Sequence, residues 1–241
     1  MNGQLVLRTE GLEKRFGGIV AASGVSIAVR ERELRCIIGP NGAGKSTLFS
    51  LLCGIYRPDS GRIVFKDRDV TSLPAFRRVQ MGLGLTFQTN RAFHALSVRQ
   101  NLAIPSRLQV AASSQAAVDR YQYALKLFDL DPASEAPARQ LPHHKLQWLE
   151  ILMVLAAGPD VLLLDEPTAG MSPDETLQTA RVLQSLNGQG LTIVVVEHDI
   201  SFVREVAQVV TVLHQGRIFV EGSVGEITAN ADVRQIYLGR A

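Results

Sequence analysis

The pattern of apolar positions along the chain predicts strands that alternate with helices. Runs typical of β-strands come first, at Leu5–Arg8, Val25–Val29, Leu34–Ile38, Ile63–Phe65 and Leu83–Phe87. From about residue 97 to residue 157 the apolar residues instead recur at helical spacing, which predicts a mainly helical middle segment.

Two later runs, Val161–Leu164 and Leu191–Val196, are apolar throughout, with no polar alternation. Such runs are typical of parallel strands that are buried on both faces of a sheet. The remaining elements are predicted as helices at Pro173–Leu186 and Ile200–Val206, then strands at Val209–Leu213 and Ile218–Glu221. This alternation predicts an α/β fold with a mainly parallel sheet.

Composition narrows the class of protein. The chain has 241 residues, 46% of them hydrophobic and 20% charged, which suits one sizeable domain or two lobes sharing a core. A net charge of +2, without long blocks of like charge, gives no reason to expect nucleic acid as a partner. The two cysteines, Cys36 and Cys53, lie in apolar stretches and predict no disulfide framework. No signal peptide is expected, and the apolar runs are too short to span a bilayer.

A glycine-rich segment predicts a phosphate-binding loop. Gly39-Pro40-Asn41-Gly42-Ala43-Gly44-Lys45-Ser46-Thr47 fits the pattern G-x-x-x-x-G-K-[ST], between a buried strand and a helix predicted over Lys45–Cys53. Backbone N–H groups of such a loop point at phosphate, Lys45 reaches the β and γ oxygens, and the Ser46 hydroxyl is a magnesium ligand. The segment therefore predicts binding of ATP with Mg²⁺. The alternative is an ordinary glycine turn before a helix.

A second acidic site follows the run Val161–Leu164. Asp165 and Glu166 come directly after this buried strand, where ligands gather in open α/β sheets. Asp165 is therefore a candidate magnesium ligand, and Glu166 is a candidate general base for an attacking water. Without the phosphate loop, an Asp-Glu pair at this place would be read as a turn.

With these motifs in order, nearly the whole chain resembles the nucleotide-binding subunit of an ABC transporter. That resemblance implies an ATP hydrolase with a P-loop NTPase core, an antiparallel β subdomain and a helical subdomain, all in one domain over 1–241. The core and β lobe would comprise 1–87 and 158–241, and the helical lobe about 88–157. It also implies that Phe16 stacks on adenine. The resemblance further implies that Gln88 contacts magnesium and the attacking water, and that His198 holds the γ-phosphate and the water.

The segment Leu141–Gln147, termed here the signature segment, departs from the family pattern. A Leu-Ser-Gly-Gly-Gln type sequence is expected, but the chain reads Leu141-Pro142-His143-His144-Lys145-Leu146-Gln147. Pro142 replaces the serine that would contact phosphate and lacks an N–H, and His144 replaces a glycine. A metal role for the two histidines lacks a four-ligand set. In the loop Ala169-Gly170-Met171-Ser172, which follows the Asp165-Glu166 pair, Ser172 stands where the family usually has Asp.

The resemblance also implies an assembly. Two ATP molecules would lie between the phosphate loop of one subunit and the signature of another, in a homodimer or heterodimer that closes on ATP. Two membrane permeases and, indirectly, a periplasmic or extracellular substrate-binding protein would complete a transporter, with this chain peripheral at the cytoplasmic face of the inner or plasma membrane. The weakened signature favours an asymmetric heterodimer.

The finer sequence pattern points to two kinds of cargo. Thr86–Phe93 resembles importers of branched-chain amino acids, whereas Gln147–Ile151, Val194–Asp199 and Val212–Gly216 are more similar to importers of urea. Urea or a short amide is expected first, and branched-chain amino acids second. Two other functions compete: an ABC ATPase that acts on DNA or ribosomes, and a regulatory sensor that binds ATP without hydrolysing it.

Overall fold

In the computed structural model, which describes residues 3–87, 90–107 and 114–238, the strands form two sheets. The first has six strands in the order β11-β10-β4-β9-β8-β7. These strands are β4 (Leu34–Ile38), β7 (Leu83–Leu85), β8 (Val161–Asp165), β9 (Thr192–Val196), β10 (Val209–His214) and β11 (Arg217–Gly222). All neighbours are parallel except β10 and β11, so the mainly parallel sheet is confirmed.

The second sheet is antiparallel and is built from the first third of the chain. Its strands are β1 (Leu5–Phe16), β2 (Ile19–Val25), β3 (Ala28–Arg30), β5 (Ser60–Phe65) and β6 (Arg68–Asp69). The long strand β1 lies at its centre and pairs with β2, β3 and β5.

Helices connect and cover the strands. They are α1 (Lys45–Cys53), α2 (Ala75–Gln80), α3 (Val98–Arg107), α4 (Gln115–Leu127), α5 (His143–Ala156), α6 (Pro173–Gly188), α7 (Ile200–Val206), α8 (Val224–Ala229) and α9 (Ala231–Leu238), with a short 3₁₀ turn at Ala138–Gln140. Within the ranges that the structure describes, no helix combines the length and apolar character needed to cross a bilayer.

The prediction of one strand over Val25–Val29 is wrong. β2 ends at Val25 and β3 begins at Ala28, because side chains take over the backbone hydrogen bonds between them. The Thr9 hydroxyl accepts from the N–H of Ile27 at 3.0 Å, and the Ser26 hydroxyl accepts from the N–H of Gly11 at 2.8 Å. β1 changes partner at this point, which lets it run on to Phe16 rather than end at Arg8.

The continuous apolar strands are explained by burial on both faces. Cys36 and Ile38 of β4 belong to a core shared with α5, α6 and α7, whereas Ile37 belongs to a core shared with α1 and the antiparallel sheet. Cys36 and Cys53 are both buried, free thiols. The six-stranded sheet is therefore sandwiched between two layers, and its carboxyl edge lies open between them.

Candidate functional site

Three of the predicted motifs lie side by side at the carboxyl edge of the six-stranded sheet. The phosphate loop follows β4, the Asp165-Glu166 pair ends β8, and His198 follows β9, the strand between them. Val196 pairs with Ile37 on one side and with Asp165 on the other, so the three strands end at the same level. Residues that are far apart in sequence therefore converge on one site.

The phosphate loop is closed by its own backbone and by close neighbours. The N–H of Ala43 donates to Pro40 O at 3.1 Å, and the Ala43 carbonyl accepts from Gly216 at 2.9 Å. A Cβ atom on Gly44, whose φ is +103°, would lie 2.3 Å from the carbonyl oxygen of Ala21. Only glycine fits there, because the left-handed backbone and this contact both exclude a side chain.

Lys45 is held inside the loop. Its buried ammonium donates to Gly39 O at 2.7 Å and to Pro40 O at 3.2 Å. Burial lowers the pKa of Lys45, while the nearby carboxylates of Glu166 and Asp165 oppose that shift. The ammonium is thus held by two carbonyl oxygens of the loop itself.

The start of α1 is open towards the same space. Among the described residues, no side chain caps its N-terminal N–H groups, and its first turn carries no acid. Ser46, in that turn, is exposed. A helix N-terminus of this kind attracts phosphate oxygens through its free N–H groups and its dipole.

Asp165 is a buried carboxylate whose charge interacts with that of Lys45 in the phosphate loop. Burial, and to a smaller extent the charge of Glu166, raises the pKa of Asp165 to about 6, against the opposing charge of Lys45. A carboxylate and a serine hydroxyl are oxygen ligands of the kind that Mg²⁺ prefers, and Mg²⁺ usually takes its remaining ligands from phosphate and water. Asp165 and Ser46 therefore fit this cation.

Glu166 stands in a left-handed backbone conformation, with φ of +48°. Its N–H donates to Val196 O at 2.9 Å, which fixes the turn against β9. One carboxylate oxygen lies 3.6 Å from His198 Nδ1. Residues held in such sparsely populated conformations cluster at functional sites, and this one points its side chain towards the predicted histidine.

Glu197 is a residue at this edge that the sequence analysis did not select. It is fully buried, and its carboxylate contacts both Thr168 and the backbone of His198. A charged residue at the end of a wholly apolar strand was the signal that could have identified it, since buried acids need compensating partners.

Two further residues were predicted for the site, Phe16 and Gln88. Phe16 ends β1, is 41% exposed and contacts Tyr56 edge-to-face, with 5.2 Å between ring centroids. It pairs with Ile19 at the start of β2, the strand whose Ala21 contacts Gly44. Gln88 lies outside the described residues, so its role stays a prediction.

The signature segment begins α5 with Pro142 as the N-terminal cap, and the side chain of Pro142 makes no capping hydrogen bond to the first turn. His143 Nε2 lies 3.1 Å from Ala169 O, and His144 Nδ1 lies 2.5 Å from Glu175 Oε1. The ring of His144 also contacts Trp148, at 4.8 Å between centroids. These histidines are thus engaged within their own chain.

Glu175 belongs to the start of α6, which begins as predicted at Pro173 and has Ser172 as its N-terminal cap. The Ser172 hydroxyl accepts from the N–H of Glu175, and the Glu175 carboxylate accepts from the N–H of Ser172 at 2.8 Å. This reciprocal cap is a common helix start. It gives Ser172 a structural role at the position where an Asp is usual.

Comparison with known proteins independently supports the resemblance found in the sequence. The family model for "ABC transporter" matches residues 22–169. The chain is 34% identical to the high-affinity branched-chain amino acid transport ATP-binding protein LivG of Salmonella typhimurium, over 99% of both chains. It is 32% identical to the lipopolysaccharide export system ATP-binding protein LptB of Acidithiobacillus ferridurans, over 97% of both.

A solved structure has the same fold. The ADP conformation of an ATP-binding cassette of an ABC transporter superposes with a TM-score of 0.86, covering 98% of this chain and 100% of the other, at 28% identity. The relatives span the chain from end to end, so the likeness is not confined to the phosphate loop.

Proposed function

Because the chain belongs to the ABC transporter family, and is an ATP hydrolase that serves as the ATP-binding subunit of a transporter, we propose that its ATP turnover drives uptake of a small solute. The observation that carries the proposal is the convergence of Lys45, Asp165, Glu166 and His198 at one edge of the sheet. Four side chains suited to phosphate, magnesium and a water molecule meet there.

Each residue has a distinct role in this proposal. The backbone of Gly39–Thr47 and the Lys45 ammonium bind the phosphates of ATP, and Lys45 exchanges its two loop carbonyls for phosphate oxygens. Ser46 and Asp165, with Gln88, hold Mg²⁺, which supplies neutralisation of the phosphate charge when it is bound. Phe16 stacks on the adenine ring.

Glu166 acts as the general base. Its carboxylate takes a proton from the attacking water as the water oxygen bonds to the γ-phosphorus and the bond to the leaving ADP oxygen breaks. His198 lies 3.6 Å from that carboxylate and orients the water and the γ-phosphate by hydrogen bonds. Mispositioning either group would slow the reaction, since such transfers depend mainly on alignment and charge.

The active unit is a dimer in which another subunit's signature covers the γ-phosphate. This chain's own signature segment is poorly suited to that task, because Pro142 offers neither hydroxyl nor N–H and His144 is engaged by Glu175. The dimer is therefore a heterodimer of unequal sites. The phosphate loop of this chain hydrolyses ATP against the partner's signature. The partner's phosphate loop faces the weakened signature segment of this chain.

The wider assembly consists of two permease subunits and, on the far side of the membrane, a substrate-binding protein. This chain is peripheral at the cytoplasmic face of the membrane and binds no nucleic acid. Residues of about 88–157 form the helical lobe that contacts the permeases, and 1–87 with 158–241 form the core and β lobe. ATP binds better to the closed dimer, and this differential affinity is what moves the permeases.

Two cargo classes follow from the resemblance. LivG is described as a branched-chain amino acid transport protein, whereas the segment Gln147–Ile151 and others resemble the urea branch. The two cargo classes can be distinguished with the purified complex in proteoliposomes, supplied with its binding protein. ATP hydrolysis is measured with L-leucine and, separately, with urea, and we expect one of the two solutes to raise it. Stimulation by one identifies the cargo class, and stimulation by neither would overturn both assignments.

Unequal catalysis is tested by placing Glu166→Gln in this chain or the matching change in the partner. We expect the change in this chain to remove nearly all phosphate release. The change in the partner should leave at least about half, because that site already turns over slowly. If only the partner's change abolishes activity, the assignment of the active site to this chain is wrong.

A further inference from the structure

Glu197, at the carboxyl end of β9, is a buried carboxylate whose two oxygens both accept hydrogen bonds. Its side chain is fully buried. Oε1 accepts from the Thr168 hydroxyl at 2.5 Å and from the Thr168 N–H at 3.3 Å. Oε2 accepts from the N–H groups of His198 at 2.8 Å and Asp199 at 3.3 Å. One carboxylate thus uses both oxygens on two separate segments.

Those two segments carry the proposed catalytic groups. Thr168 lies two residues after Glu166, in the turn that leaves β8. His198 and Asp199 form the junction between β9 and α7, and Asp199 also caps that helix by accepting from Ser201 at 2.7 Å. The Glu197 carboxylate therefore bridges the Glu166 turn and the His198 junction.

The arrangement needs a carboxylate rather than a neutral residue. Burying a charge is costly unless several donors compensate it, and here four do so. A Gln side chain of the same shape has one oxygen, so its amide would turn N–H groups towards the donors of one segment. An apolar residue would leave all four donors without this acceptor. The sequence keeps a charge where a strand end ordinarily needs none.

We propose that Glu197 is a positioning residue for ATP hydrolysis, which holds His198 at a fixed place relative to Glu166 by anchoring its backbone to Thr168. The inference rests on the roles proposed above for Glu166 and His198. The exposed imidazole of His198 has few contacts of its own among the described residues, at 3.6 Å from Glu166 Oε1 and Glu197 Oε2. Its placement therefore depends mainly on its backbone.

The first test is Glu197→Gln in the assembled transporter, with kcat and KM for ATP measured separately. We expect kcat to fall by about tenfold to a hundredfold, the size of effect that a small misplacement produces, while KM changes less than about threefold. The matched control is Glu33→Gln. Glu33 is also a buried carboxylate, paired with Arg35, but it precedes β4 at the opposite edge of the sheet. A kcat for Glu197→Gln equal to that of Glu33→Gln would overturn the proposal.

A cycle with His198→Ala separates positioning from general structural support. If Glu197 acts through His198, adding Glu197→Gln to His198→Ala lowers kcat by less than about threefold further. Losses that multiply fully would show an independent structural effect and would overturn the inference. If Glu197→Gln fails to fold, Thr168→Val serves instead, because it removes one donor without removing the charge; its expected loss in kcat is about threefold to tenfold.

The same variants distinguish this inference from the proposed function. If His198→Ala and Glu166→Gln both leave kcat unchanged, the catalytic assignments themselves are wrong. If they abolish turnover while Glu197→Gln and Thr168→Val do not reduce it, the assignments stand and only the positioning role of Glu197 is overturned.

Discussion

His143 Nε2 and the backbone carbonyl oxygen of Ala169 lie 3.1 Å apart, which fastens the start of α5 to the turn that precedes α6. The contact between His144 Nδ1 and Glu175 Oε1 joins the same two helix starts one residue further along the segment. The signature segment therefore contacts other parts of its own chain through His143 and His144. In the proposed dimer the same segment offers the partner's ATP no serine hydroxyl, because Pro142 stands at that position.

Restoring the signature should activate the second ATP site. In a chain carrying Glu166→Gln, the residual phosphate release of the complex comes from the partner's phosphate loop, which faces this signature. Pro142→Ser with His144→Gly should raise that residual rate at least about tenfold, since charge-assisted bonds to phosphate contribute about 1.5–3 kcal/mol each. Steady-state phosphate release measures it.

The control is the same pair of substitutions in a chain with Glu166 intact. There the total rate should rise no more than about twofold, because the site at this chain's phosphate loop already works and the restored second site can at most match it. The double change should also lower the melting temperature, since the contacts of His144 with Glu175 and Trp148 are lost. An unchanged residual rate in the Glu166→Gln background would contradict the weakened-signature hypothesis.

Lys45→Met should weaken ATP binding by roughly tenfold to a hundredfold. The ammonium is the buried cation of the loop, and a hydrogen bond to a charged group contributes about 1.5–3 kcal/mol. Isothermal titration of the full chain with ATP measures the change. Lys126→Met is the control, because Lys126 is exposed near the end of α4. Equal affinities for the two variants would show that Lys45 does not bind phosphate.

Phe16→Ala should weaken ATP binding by about 1–3 kcal/mol, the contribution of one aromatic ring stacked on a base. Inorganic triphosphate, which has no base, should bind both proteins equally well. Ile19→Ala is a suitable control, since Ile19 pairs with Phe16 across the hairpin and is 71% exposed. A loss of affinity for triphosphate as large as for ATP would instead indicate damage to the loop.

Glu150 should give the chain a pH-dependent stability. It is buried in α5, accepts from the N–H of Phe87 at 3.4 Å, and has one oxygen with no partner among the described residues. Burial raises the pKa of Glu150 to about 7, partly opposed by bonds from Phe87 and Arg91. The folded state therefore holds the proton more tightly than the unfolded state, whose pKa is the ordinary one.

Below about pH 4.5 the side chain of Glu150 therefore leaves the free energy of unfolding unchanged. As pH rises to 7, Glu150 lowers that free energy increasingly, because the unfolded state gives up the proton more readily. Glu150→Gln should then unfold at the same denaturant concentration as wild type at pH 4.5. At pH 8 it should be about 2–3 kcal/mol more stable.

Glu226→Gln is a control of opposite sign. Backbone and side-chain hydrogen bonds from Ser223 lower the pKa of Glu226, so that carboxylate stabilises the fold above its ordinary pKa, and the gain is lost as pH falls through the folded value. Its variant should be less stable than wild type at pH 8. A stability difference for Glu150→Gln that did not vary with pH would refute the protonation argument.

Much of the site could be predicted from sequence, for a physical reason. The phosphate loop is local: its glycines, Lys45 and Ser46 are consecutive, and the strand before it and the helix after it complete the geometry within about twenty residues. The wholly apolar runs likewise predicted strands that are buried on both faces. Both features depend on neighbouring residues along the chain, so the amino-acid sequence was sufficient to predict them.

The tertiary structure decided what distant segments do to one another. Only sheet order places β9 between β4 and β8, and so brings His198 to within 3.6 Å of Glu166. The partners of Glu197 and of His144 come from other segments, and the split between β2 and β3 depends on Thr9 of a neighbouring strand. Sequence determined which groups the chain carries; long-range pairing and burial determined which of them meet, because a charge or a backbone N–H is stable inside only where a partner from elsewhere reaches it.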